Sequence, residues 1–583
     1  MTNREIADIF DNIADMLEIK GEIIHRVMAY RNAAGAIRDL SRDVKVLAAE
    51  GELGSIPFVG KIIGEKIQEM LDTGKLNFYE ELKTEVPEGV VDILHINGVG
   101  PKKAKQFWEQ GITSVDALEA AAKEGKLNGL PGMGAKTQAK ILEGIESLKR
   151  RAADTRVSIG VALPFAESIL ERLLAIPGAQ KGVVAGSIRR GRPTMGDVDL
   201  LVASSEPLPI MEAFVKIDEV SRILGNGEKK SSVELHNGLQ VDLRVIPPER
   251  WGTAIQYFTG SQAHGIHVRE IALAHGLSLN EHALTSVDKN VNPTGEPEIL
   301  CATEEEVYAK IGLPWIPPEI REDWGEIEAA QAGKLPNLIK LEDMRADLHM
   351  HTVWSDGKFT VREMAEAALA RGREYICITD HSKGATIANG LTVERLMEQH
   401  AEIVKADADL RPFRVFHGTE MEIRADGELD FPDEVLEKLD FVVASLHQGL
   451  RQPREQVTAR ILNAINNPHV DLIGHPRGQL ILERDPADLD MEAVFAAAKK
   501  SGIALEINAN PHRLDLEAPL ARRAVEMGIP LCIDTDAHAI DQMDLLRYGI
   551  MTARRGWVEA ASVINTWPLE QFLEWVGRRG HHA

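Results

Sequence analysis

The second half of the chain repeats a pattern that few folds can accommodate. From about residue 344, seven apolar runs suited to β-strands alternate with segments of helical spacing. Such alternation predicts a barrel of parallel strands with helices outside, whose active site lies at the carboxyl ends of the strands. Each run ends in His, Asp, Glu or Asn: MRADLHMHT, YICITDHS, RVFHGTEMEI, FVVASLHQ, VDLIGHP, IALEINANP and LCIDTDAH. We therefore predict a βα barrel over residues 344–583 with a polar site at one end.

Histidines and carboxylates at these strand ends suit a divalent metal site. His349 and His351 are two residues apart on one predicted strand, so their side chains project to the same side. Nitrogen and oxygen ligands without thiolates suit Mn2+, Zn2+ or Fe2+. Such ions generate hydroxide and polarise phosphate, which predicts hydrolysis of a phosphodiester or phosphomonoester. Arg513 is a candidate donor to the substrate phosphate, with a surface salt bridge as the alternative.

The first half of the chain has a different pattern. Residues 1 to about 150 carry apolar positions three and four apart, which is typical of short amphipathic helices. From about 155 to 317, β-rich segments lie between helices and predict an α+β domain. A Pro- and charge-rich stretch at 314–336 then predicts a linker.

A glycine motif opens three predicted helices, at residues 56–61, 96–102 and 130–136. Small residues let the backbone turn tightly and present N–H groups at a helix start, where a phosphate is favoured. For a single copy, a plain turn before a helix is the alternative; three copies favour a nucleic-acid contact. The candidate contact residues are Gly60, Gly98, Gly100, Lys102, Gly132, Gly134 and Lys136.

Three carboxylates indicate a second metal site, in the α+β region. Asp197 and Asp199 are two apart on a predicted strand and face the same way, and Asp242 lies in an alternating strand. Three carboxylates around two Mg2+ ions suit phosphoryl transfer. The Gly186-Ser187 turn and Arg190 would supply donors for a triphosphate.

Composition sets limits on partners and location. The net charge of -24 excludes coating of nucleic acid by bulk attraction, so any DNA contact must be local. The three cysteines are scattered singly, which argues against a disulfide framework and fits a reducing cytoplasm. No apolar run approaches the roughly 20 residues that span a bilayer. We therefore expect no membrane association.

The first half resembles a known polymerase family. Gly186-Ser187 followed by Asp197-Val198-Asp199 resembles the nucleotidyltransferase superfamily, and the run Tyr257-Phe258-Thr259-Gly260-Ser261 is similar to that of the family X DNA polymerases, the group of polymerase beta. The glycine motifs resemble helix-hairpin-helix motifs, which grip the DNA backbone without reading sequence. The first copy has Phe58 where that motif prefers Gly. The resemblance covers residues 1 to about 317.

This resemblance implies roles for individual residues. Asp197, Asp199 and Asp242 are the catalytic metal carboxylates, with Asp242 nearest the primer 3'-hydroxyl. The implied nucleotide-binding residues are Gly186, Ser187, Arg190, Gly196, Tyr257, Phe258 and Gly260, and Arg244 and Arg269 are implied to contact DNA.

Two positions bear on how far the resemblance extends. Gly265 stands where polymerase beta has an asparagine that touches the incoming base, which puts base or sugar selection in question. Lys66, with His25, Arg26 and Tyr30, falls where the lyase domain of polymerase beta has its 5'-phosphate pocket and Schiff-base lysine. An exposed helix lysine is the alternative for Lys66.

The second half resembles the PHP (polymerase and histidinol phosphatase) phosphoesterases. Asp347-Leu348-His349-Met350-His351 is similar to the first motif of that family, and the later motifs follow in family order. The resemblance implies up to three bound metal ions. The implied ligands are His349, His351, Asp356, His381, Glu420, His447, His475, Asp536 and His538.

Together the two resemblances predict a bacterial family X DNA polymerase with a C-terminal PHP domain. The predicted domains are an all-α lyase-like domain (1–83), a helix-hairpin-helix domain (84–154), a nucleotidyltransferase palm (155–247), a nucleotide-selecting thumb (248–317), a linker (318–343) and a distorted (β/α)7 PHP barrel (344–583).

The predicted function is short-gap filling in DNA repair, with the barrel acting as a metal-dependent 3'–5' exonuclease, AP endonuclease or other 3'-end-processing enzyme. Mg2+ or Mn2+ is expected at the polymerase site and up to three Mn2+, Zn2+ or Fe ions at the barrel. The expected substrates are gapped or nicked DNA and deoxynucleoside triphosphates, bound by a cytoplasmic, nucleoid-associated monomer. Two alternatives remain: a 3'-end nuclease or phosphatase whose polymerase half delivers it to DNA, and a structural PHP domain that braces the polymerase.

Overall fold

The computed structural model describes residue 1 and residues 3–38, 40, 43–96, 99–152 and 156–578. The chain divides into two compact units. The N-terminal unit comprises Met1–Val157, Pro164–Val184 and Gly196–Pro247, and the C-terminal unit comprises Ser158–Leu163, Ala185–Met195 and Pro248–Ala583. None of the described helices combines the length and the apolar character needed to cross a bilayer.

The N-terminal unit begins with helices, as the sequence predicts. In the first helix Ile6, Phe10, Ile13 and Leu17 recur at helical spacing and are fully or almost fully buried. This apolar stripe packs against the second helix and the helices that follow. The helices of this region are α1 (Asn3–Lys20), α2 (Ile24–Arg38), α3 (Val44–Ala49), α4 (Lys61–Thr73), α5 (Asn77–Glu85), α6 (Glu88–Leu94), α7 (Pro101–Glu109), α8 (Val115–Lys123) and α9 (Ala135–Ala152).

The predicted palm contains a mixed sheet. The elements from 157 to 246 are β1 (Val157–Ser158), α10 (Ile159–Leu174), β2 (Lys181–Val184), α11 (Gly186–Arg189), β3 (Thr194–Met195), β4 (Asp197–Ala203), α12 (Pro207–Phe214), β5 (Val220–Asn226), β6 (Lys230–Leu235) and β7 (Gln240–Ile246). Five of the strands form a sheet in the order β2-β4-β7-β6-β5. Strands β4 and β7 pair in parallel and place Asp199 beside Asp242. The alternating carboxylates therefore meet at one end of the sheet.

The predicted thumb opens the continuous part of the C-terminal unit. Its core is built from apolar residues such as Val268, Leu284 and Ile311, which are buried together. The elements are α13 (Trp251–Thr259), α14 (Gln262–Ala274), β8 (Leu277–Leu279), β9 (Leu284–Ser286), α15 (Glu304–Lys310) and α16 (Glu326–Gln331).

Residues 318–343, which the sequence predicts as a linker, are part of this core. Ile320 and Ile327 are almost fully buried in the same apolar cluster as the thumb helices. Two charged residues of the segment are also buried: Arg321 pairs with Glu304 at 2.6 Å, and Glu326 pairs with His264 at 2.7 Å. Pairing of this kind lets a charged sequence pack inside a protein, and composition alone does not reveal it.

The predicted barrel is present in the remainder of the C-terminal unit. Its strands are β10 (Ala346–Asp347), β11 (Tyr375–Ile378), β12 (Arg414–Glu422), β13 (Phe441–Ser445), β14 (Leu472–Gly474), β15 (Ala504–Asn508) and β16 (Leu531–Asp534). They lie in sequence order and pair in parallel throughout. A further parallel bridge joins Met350 to Ala537, just beyond β10 and β16. The first and last strands therefore approach each other, and the sheet is nearly closed.

Helices cover the outside of the barrel. They are α17 (Val361–Ala370), α18 (Val393–Leu410), α19 (Asp433–Leu436), α20 (Arg454–Asn466), α21 (Met491–Ser501), α22 (Ala518–Glu526), α23 (Leu546–Arg555) and α24 (Leu569–Arg578). Residues of the middle strands such as Val443, Leu472 and Leu505 are fully buried, as expected for parallel strands covered on both faces. The cysteines are buried and free, in agreement with the expected absence of disulfides.

Candidate active sites

The predicted metal ligands of the barrel converge at its carboxyl end. Three groups of side chains each have ligand atoms within 4.8 Å of one another. The groups are His351, Asp356, His381 and His538; His349, His351 and Asp536; and His381, Glu420 and His447. His351 and His381 each belong to two groups, so the three groups form one connected cluster. The ninth predicted ligand, His475, contacts this cluster through Nε2, which lies 2.9 Å from Oε1 of Glu420.

The donor atoms of this cluster are arranged for a cation. In the described part of the chain, Nε2 of His349, Nδ1 of His351 and Oε2 of Glu420 are buried without a hydrogen-bond partner. Buried polar atoms are normally satisfied, and a bound ion would satisfy these. The backbone of His475 (φ 25°) and Asp536 (φ 53°) lies in the left-handed region, which is costly for such residues. The residues present therefore fit divalent metal ions, and their nitrogen and oxygen donors suit a transition metal.

Carboxylates outside the predicted ligand set orient the imidazoles. Glu506 lies 2.7 Å from Nδ1 of His349, and Glu422 lies 2.7 Å from Nδ1 of His447. Each contact fixes the ring so that Nε2 points toward the cluster, as partners of metal-bound histidines do. The sequence indicates no role for Glu506, which lies in the predicted strand run IALEINANP. Glu422 carries no prediction either, although it follows the predicted ligand Glu420 by two residues and shares its side of β12.

The charges of the cluster perturb one another strongly. Burial would lower the pKa of His447, but the carboxylates of Glu420 and Glu422 raise it to about 10. Burial and the charges of His538 and His381 lower the pKa of His351 to about 3. The pKa values of two histidines in one cluster are therefore displaced in opposite directions.

A cavity of about 570 Å³ opens onto the cluster. Asp356, His381, Glu420 and His538 line its polar side, and the loop around Ile387 lines the other. Arg513, predicted to hold the substrate phosphate, also lines this cavity. Its Nε lies 3.8 Å from Oδ2 of Asp536. The alternative of a surface salt bridge does not describe this placement, because the side chain is mostly buried beside the cluster.

The palm carboxylates form a looser group. Burial, followed by the charges of Asp197 and Asp242, raises the pKa of Asp199 to about 6. Asp242 accepts a hydrogen bond from Gln240 at 2.9 Å and pairs with Lys230 at 2.9 Å. Among the described residues, the 4.8 Å groups all lie in the barrel. The like charges of Asp197 and Asp242 thus act on Asp199, while Lys230 neutralises part of the charge of Asp242.

Six of the seven predicted nucleotide-binding residues lie on or directly after two helices of the C-terminal unit. Gly186 and Ser187 begin the short helix α11, and Arg190 follows it directly. Tyr257 and Phe258 end α13, and their rings meet edge to face at 5.0 Å. Gly196 lies in the N-terminal unit, directly before β4.

A cavity of about 350 Å³ lies beside α13. Tyr257, Gly260, Gly265 and Arg269 are among its lining residues. A Cβ added at Gly265 would meet nothing within 4 Å, so no neighbouring atom excludes a side chain at this position. Arg269, predicted to contact DNA, lines the same cavity. Arg244, the other predicted arginine, lies on β7 opposite Lys230.

The predicted DNA-gripping turns precede helices. Gly60 and Gly100 are the N-cap residues of α4 and α7, and Gly134 directly precedes α9. Lys102 is exposed in the first turn of α7. Gly98 and the side chain of Lys136 lie outside the described residues.

The turn before α4 has a less favourable backbone conformation than the turn before α9. Gly132 has φ 76°, and Phe58, at the matching position of the first turn, has φ 64° with an exposed side chain. Positive φ favours glycine, so Phe58 adopts the motif's turn despite its side chain.

The predicted lyase lysine lies in an aromatic corner. Nζ of Lys66 is 4.1 Å from the ring centroid of Phe78, which also stacks with Tyr30 at 6.1 Å. Burial, and the nearby charge of Arg26, lower the pKa of Lys66. His25 is exposed at the start of α2. Lys66 is half-buried on α4, so it departs from the alternative of an exposed helix lysine.

Three features define the class of protein: glycine turns that precede helices, a thumb-like α/β region, and a barrel with a connected cluster of histidines and carboxylates. Together they describe a polymerase-beta-like chain joined to a phosphoesterase-type barrel. Family models match these parts in the same order. Residues 1–76 match a helix-hairpin-helix domain and 90–147 a SAM-like helix-hairpin-helix tandem. Residues 254–322 match the DNA polymerase beta thumb, and 347–510 match the PHP domain.

The chain belongs to the bacterial family X DNA polymerases with a C-terminal PHP domain. It is 38% identical over 580 residues to the "DNA polymerase/3'-5' exonuclease PolX" of Bacillus subtilis (strain 168), which covers 98% of this chain and 100% of that protein. DNA polymerase lambda of Rattus norvegicus is 26% identical over 345 residues, 55% of this chain and 56% of that protein. A probable phosphatase of Thermoanaerobacter sp. (strain X514) is 30% identical over 231 residues, 38% of this chain and 89% of that protein.

Proposed function

We propose that this chain is a DNA polymerase that fills short gaps during DNA repair and that its barrel processes 3' ends by metal-dependent hydrolysis of phosphoesters. The observation that carries the proposal is the connected ligand cluster at the mouth of the barrel, in a chain that aligns over its full length with a polymerase/3'-5' exonuclease. A barrel that only braced the polymerase would not need nine ligand-type side chains converging on one point.

In the polymerase half, Asp197, Asp199 and Asp242 would hold two Mg2+ ions. Such ions, when bound, lower the pKa of the primer 3'-hydroxyl and stabilise charge on the transferred phosphorus. Ser187 and Arg190 bind the triphosphate. Asp242 would lie nearest the primer terminus, and, against the effect of burial, its hydrogen bond from Gln240 and its ion pair with Lys230 lower the pKa of this carboxyl.

In the barrel, the nine-residue cluster would hold up to three Mn2+, Zn2+ or Fe ions. Bound ions of this kind supply a hydroxide at neutral pH. Glu506 and Glu422 keep His349 and His447 in the orientation that binds metal. Arg513 neutralises the phosphate at the cavity wall, and the 570 Å³ cavity accepts a terminal nucleotide.

The substrates are DNA and deoxynucleoside triphosphates, and we propose gapped or nicked DNA as the preferred form. The glycine turns before α4, α7 and α9 present backbone N–H groups to phosphate, which suits a contact without sequence preference. We further propose that the chain acts as a monomer in the bacterial cytoplasm, at the nucleoid.

A second candidate activity is removal of 5'-deoxyribose phosphate. Its support is the environment of Lys66, where burial and Arg26 lower the pKa and so favour the unprotonated amine that a Schiff base requires. Lys66 is the proposed nucleophile of this step.

The proposal is tested by silencing each half separately on one gapped DNA substrate. Asp197→Asn with Asp199→Asn should abolish primer extension and leave trimming of 3' ends intact. His349→Ala with His351→Ala should do the reverse, because two ligands of the cluster are lost together. His512→Ala, an exposed histidine of the same barrel outside the cluster, serves as the control.

Two results would contradict the assignment. One is a His349/His351 variant that keeps full nuclease activity in Mn2+. The other is loss of nuclease activity in the Asp197/Asp199 variant. Metal analysis of the His349/His351 variant should also show fewer bound transition-metal ions than the His512→Ala control, because carboxylates alone favour Mg2+ and imidazoles favour Mn2+ or Zn2+.

A further inference from the structure

One helix of the barrel packs on two barrel strands and also contacts the proposed triphosphate loop. Helix α23 packs on β15 and β16, where Gly549 lies so close to Ala509 and Ile533 that an added Cβ would clash at 2.7 Å. The far end of α23 meets the loop after α11. A Cβ added to Gly191 would lie 3.2 Å from Cβ of Met551.

A buried carboxylate connects that helix to the loop. Oε1 of Glu322 lies 3.1 Å from Nε of Arg190 and 2.8 Å from Nη1 of Arg555. Nη1 of Arg555 also donates a hydrogen bond to the backbone oxygen of Arg190 at 2.6 Å. The three side chains are 13%, 9% and 5% exposed for Arg190, Glu322 and Arg555 respectively. The contact is therefore shielded from solvent and its charges act strongly on one another.

We propose that Arg555, supplied by the barrel domain, is a positioning residue for the incoming nucleotide at the polymerase site. It holds the backbone of Arg190 in place and takes a share of the Glu322 charge, which would otherwise be directed at the Arg190 guanidinium. This inference rests on the proposed role of Arg190 in binding the triphosphate.

The consequence of losing Arg555 follows from the charges. Glu322 has a third arginine partner, because Nη1 of Arg192 lies 3.8 Å from its Oε1. A buried carboxylate that loses the nearest of three arginines binds the next nearest, Arg190, more tightly, because less of its desolvation is offset. Arg190 would then be retained by Glu322 and would engage the triphosphate less well. The loop would also lose the hydrogen bond that fixes its backbone.

Steady-state gap filling with the full chain tests the proposal. Arg555→Ala should raise the KM for the deoxynucleoside triphosphate about tenfold, as expected for one lost charge-assisted contact, and leave kcat within about twofold. Arg555→Lys, which keeps the charge but cannot serve both acceptors equally, should give an intermediate KM. Adding Glu322→Gln to Arg555→Ala should bring the KM back toward the wild-type value, because the carboxylate that retains Arg190 is gone.

Arg554→Ala is the matched control. Arg554 is on the same helix and pairs with Glu319 at 2.6 Å, so it too links the barrel to the segment that follows the thumb. Its hydrogen bonds go to Glu319 and to the backbone oxygen of Ile339, whereas Arg555 contacts Arg190 and Glu322. This variant should lower the melting temperature and leave the KM unchanged.

Different results would contradict the positioning role of Arg555, the role of Glu322 and the polymerase function itself. A wild-type KM in folded Arg555→Ala, or an equal rise in Arg554→Ala, would overturn the positioning role. Failure of the double variant to lower the KM relative to Arg555→Ala would overturn the part assigned to Glu322. A wild-type chain that binds deoxynucleoside triphosphates in equilibrium dialysis without extending any primer would instead refute the proposed polymerase function, and the same dialysis on Arg555→Ala would still decide the positioning role.

Discussion

Replacement of Glu304 by Gln should destabilise the thumb by about 3 kcal/mol. Glu304 is 5% exposed and pairs with Arg189 at 2.7 Å and with Arg321 at 2.6 Å. Burial alone would raise the pKa of this carboxyl, but the two arginines lower it from 4.5 to about 2. A depression of that size corresponds to roughly 3 kcal/mol of stabilisation in the ionised state. The amide cannot replace it, and two arginines would stay buried without their partner.

The pH dependence gives this prediction a definite sign. Because the folded-state pKa lies below the ordinary value, the stabilisation is complete above about pH 4.5 and is lost as the pH falls toward 2. The difference between wild type and Glu304→Gln should therefore be largest at neutral pH and shrink in acid. Glu305→Gln, an exposed neighbour in the same helical turn, should change stability by less than about 0.5 kcal/mol.

Hydrogen exchange measured by mass spectrometry can follow the thumb separately from the rest of the chain. For peptides that cover α13 and α15, Glu304→Gln should lower protection by about two orders of magnitude at pH 7. Variant and wild type are compared at each pH, so intrinsic exchange rates cancel. Protection equal to that of Glu305→Gln, or a difference that is constant between pH 7 and pH 3, would refute the reasoning.

Two further predictions concern substrate handling. Gly265→Asn should raise discrimination against incorrect or ribose-containing nucleotides several-fold, because a Cβ at this cavity-lining position meets nothing within 4 Å; unchanged misinsertion ratios in single-nucleotide insertion assays would remove that role from the position. Lys66→Ala should abolish borohydride trapping on a 5'-deoxyribose-phosphate end, whereas Lys61→Ala, an exposed lysine of the same helix, should not. Equal trapping in both variants would assign the chemistry to another lysine.

The sequence predicts those features that depend on local spacing. The barrel and the places of its ligands follow from strand-like runs that each end in a polar residue, because parallel strands bring their carboxyl ends to one edge. The helical region follows from apolar positions such as Ile6 and Phe10. The buried role of residues 318–343 could not be predicted in this way, since composition does not show that Arg321 finds Glu304.

The sequence does not predict ion pairs between residues that are far apart in the chain. Lys230 faces Asp242 only because β6 and β7 pair, and Arg555 meets Glu322 across a sequence separation of 233 residues. Neither ion pair has a sequence spacing that would indicate that its two residues are in contact. Glu422 is different, because its position two residues after Glu420 on one strand is a usable signal.

The bridge from Met350 to Ala537 determines when the barrel can become functional during synthesis. The first two ligands, His349 and His351, leave the ribosome long before Asp536 and His538, which complete two of the three groups. A nascent chain therefore exposes lone histidines and carboxylates until its last strand pairs with its neighbours. Because metal affinity arises from the assembled ligands, capture of the ion marks the completion of folding. A chain that ends before residue 536 contains most of the predicted ligands. It lacks Asp536, His538 and the bridge to Met350 that brings the ligands together.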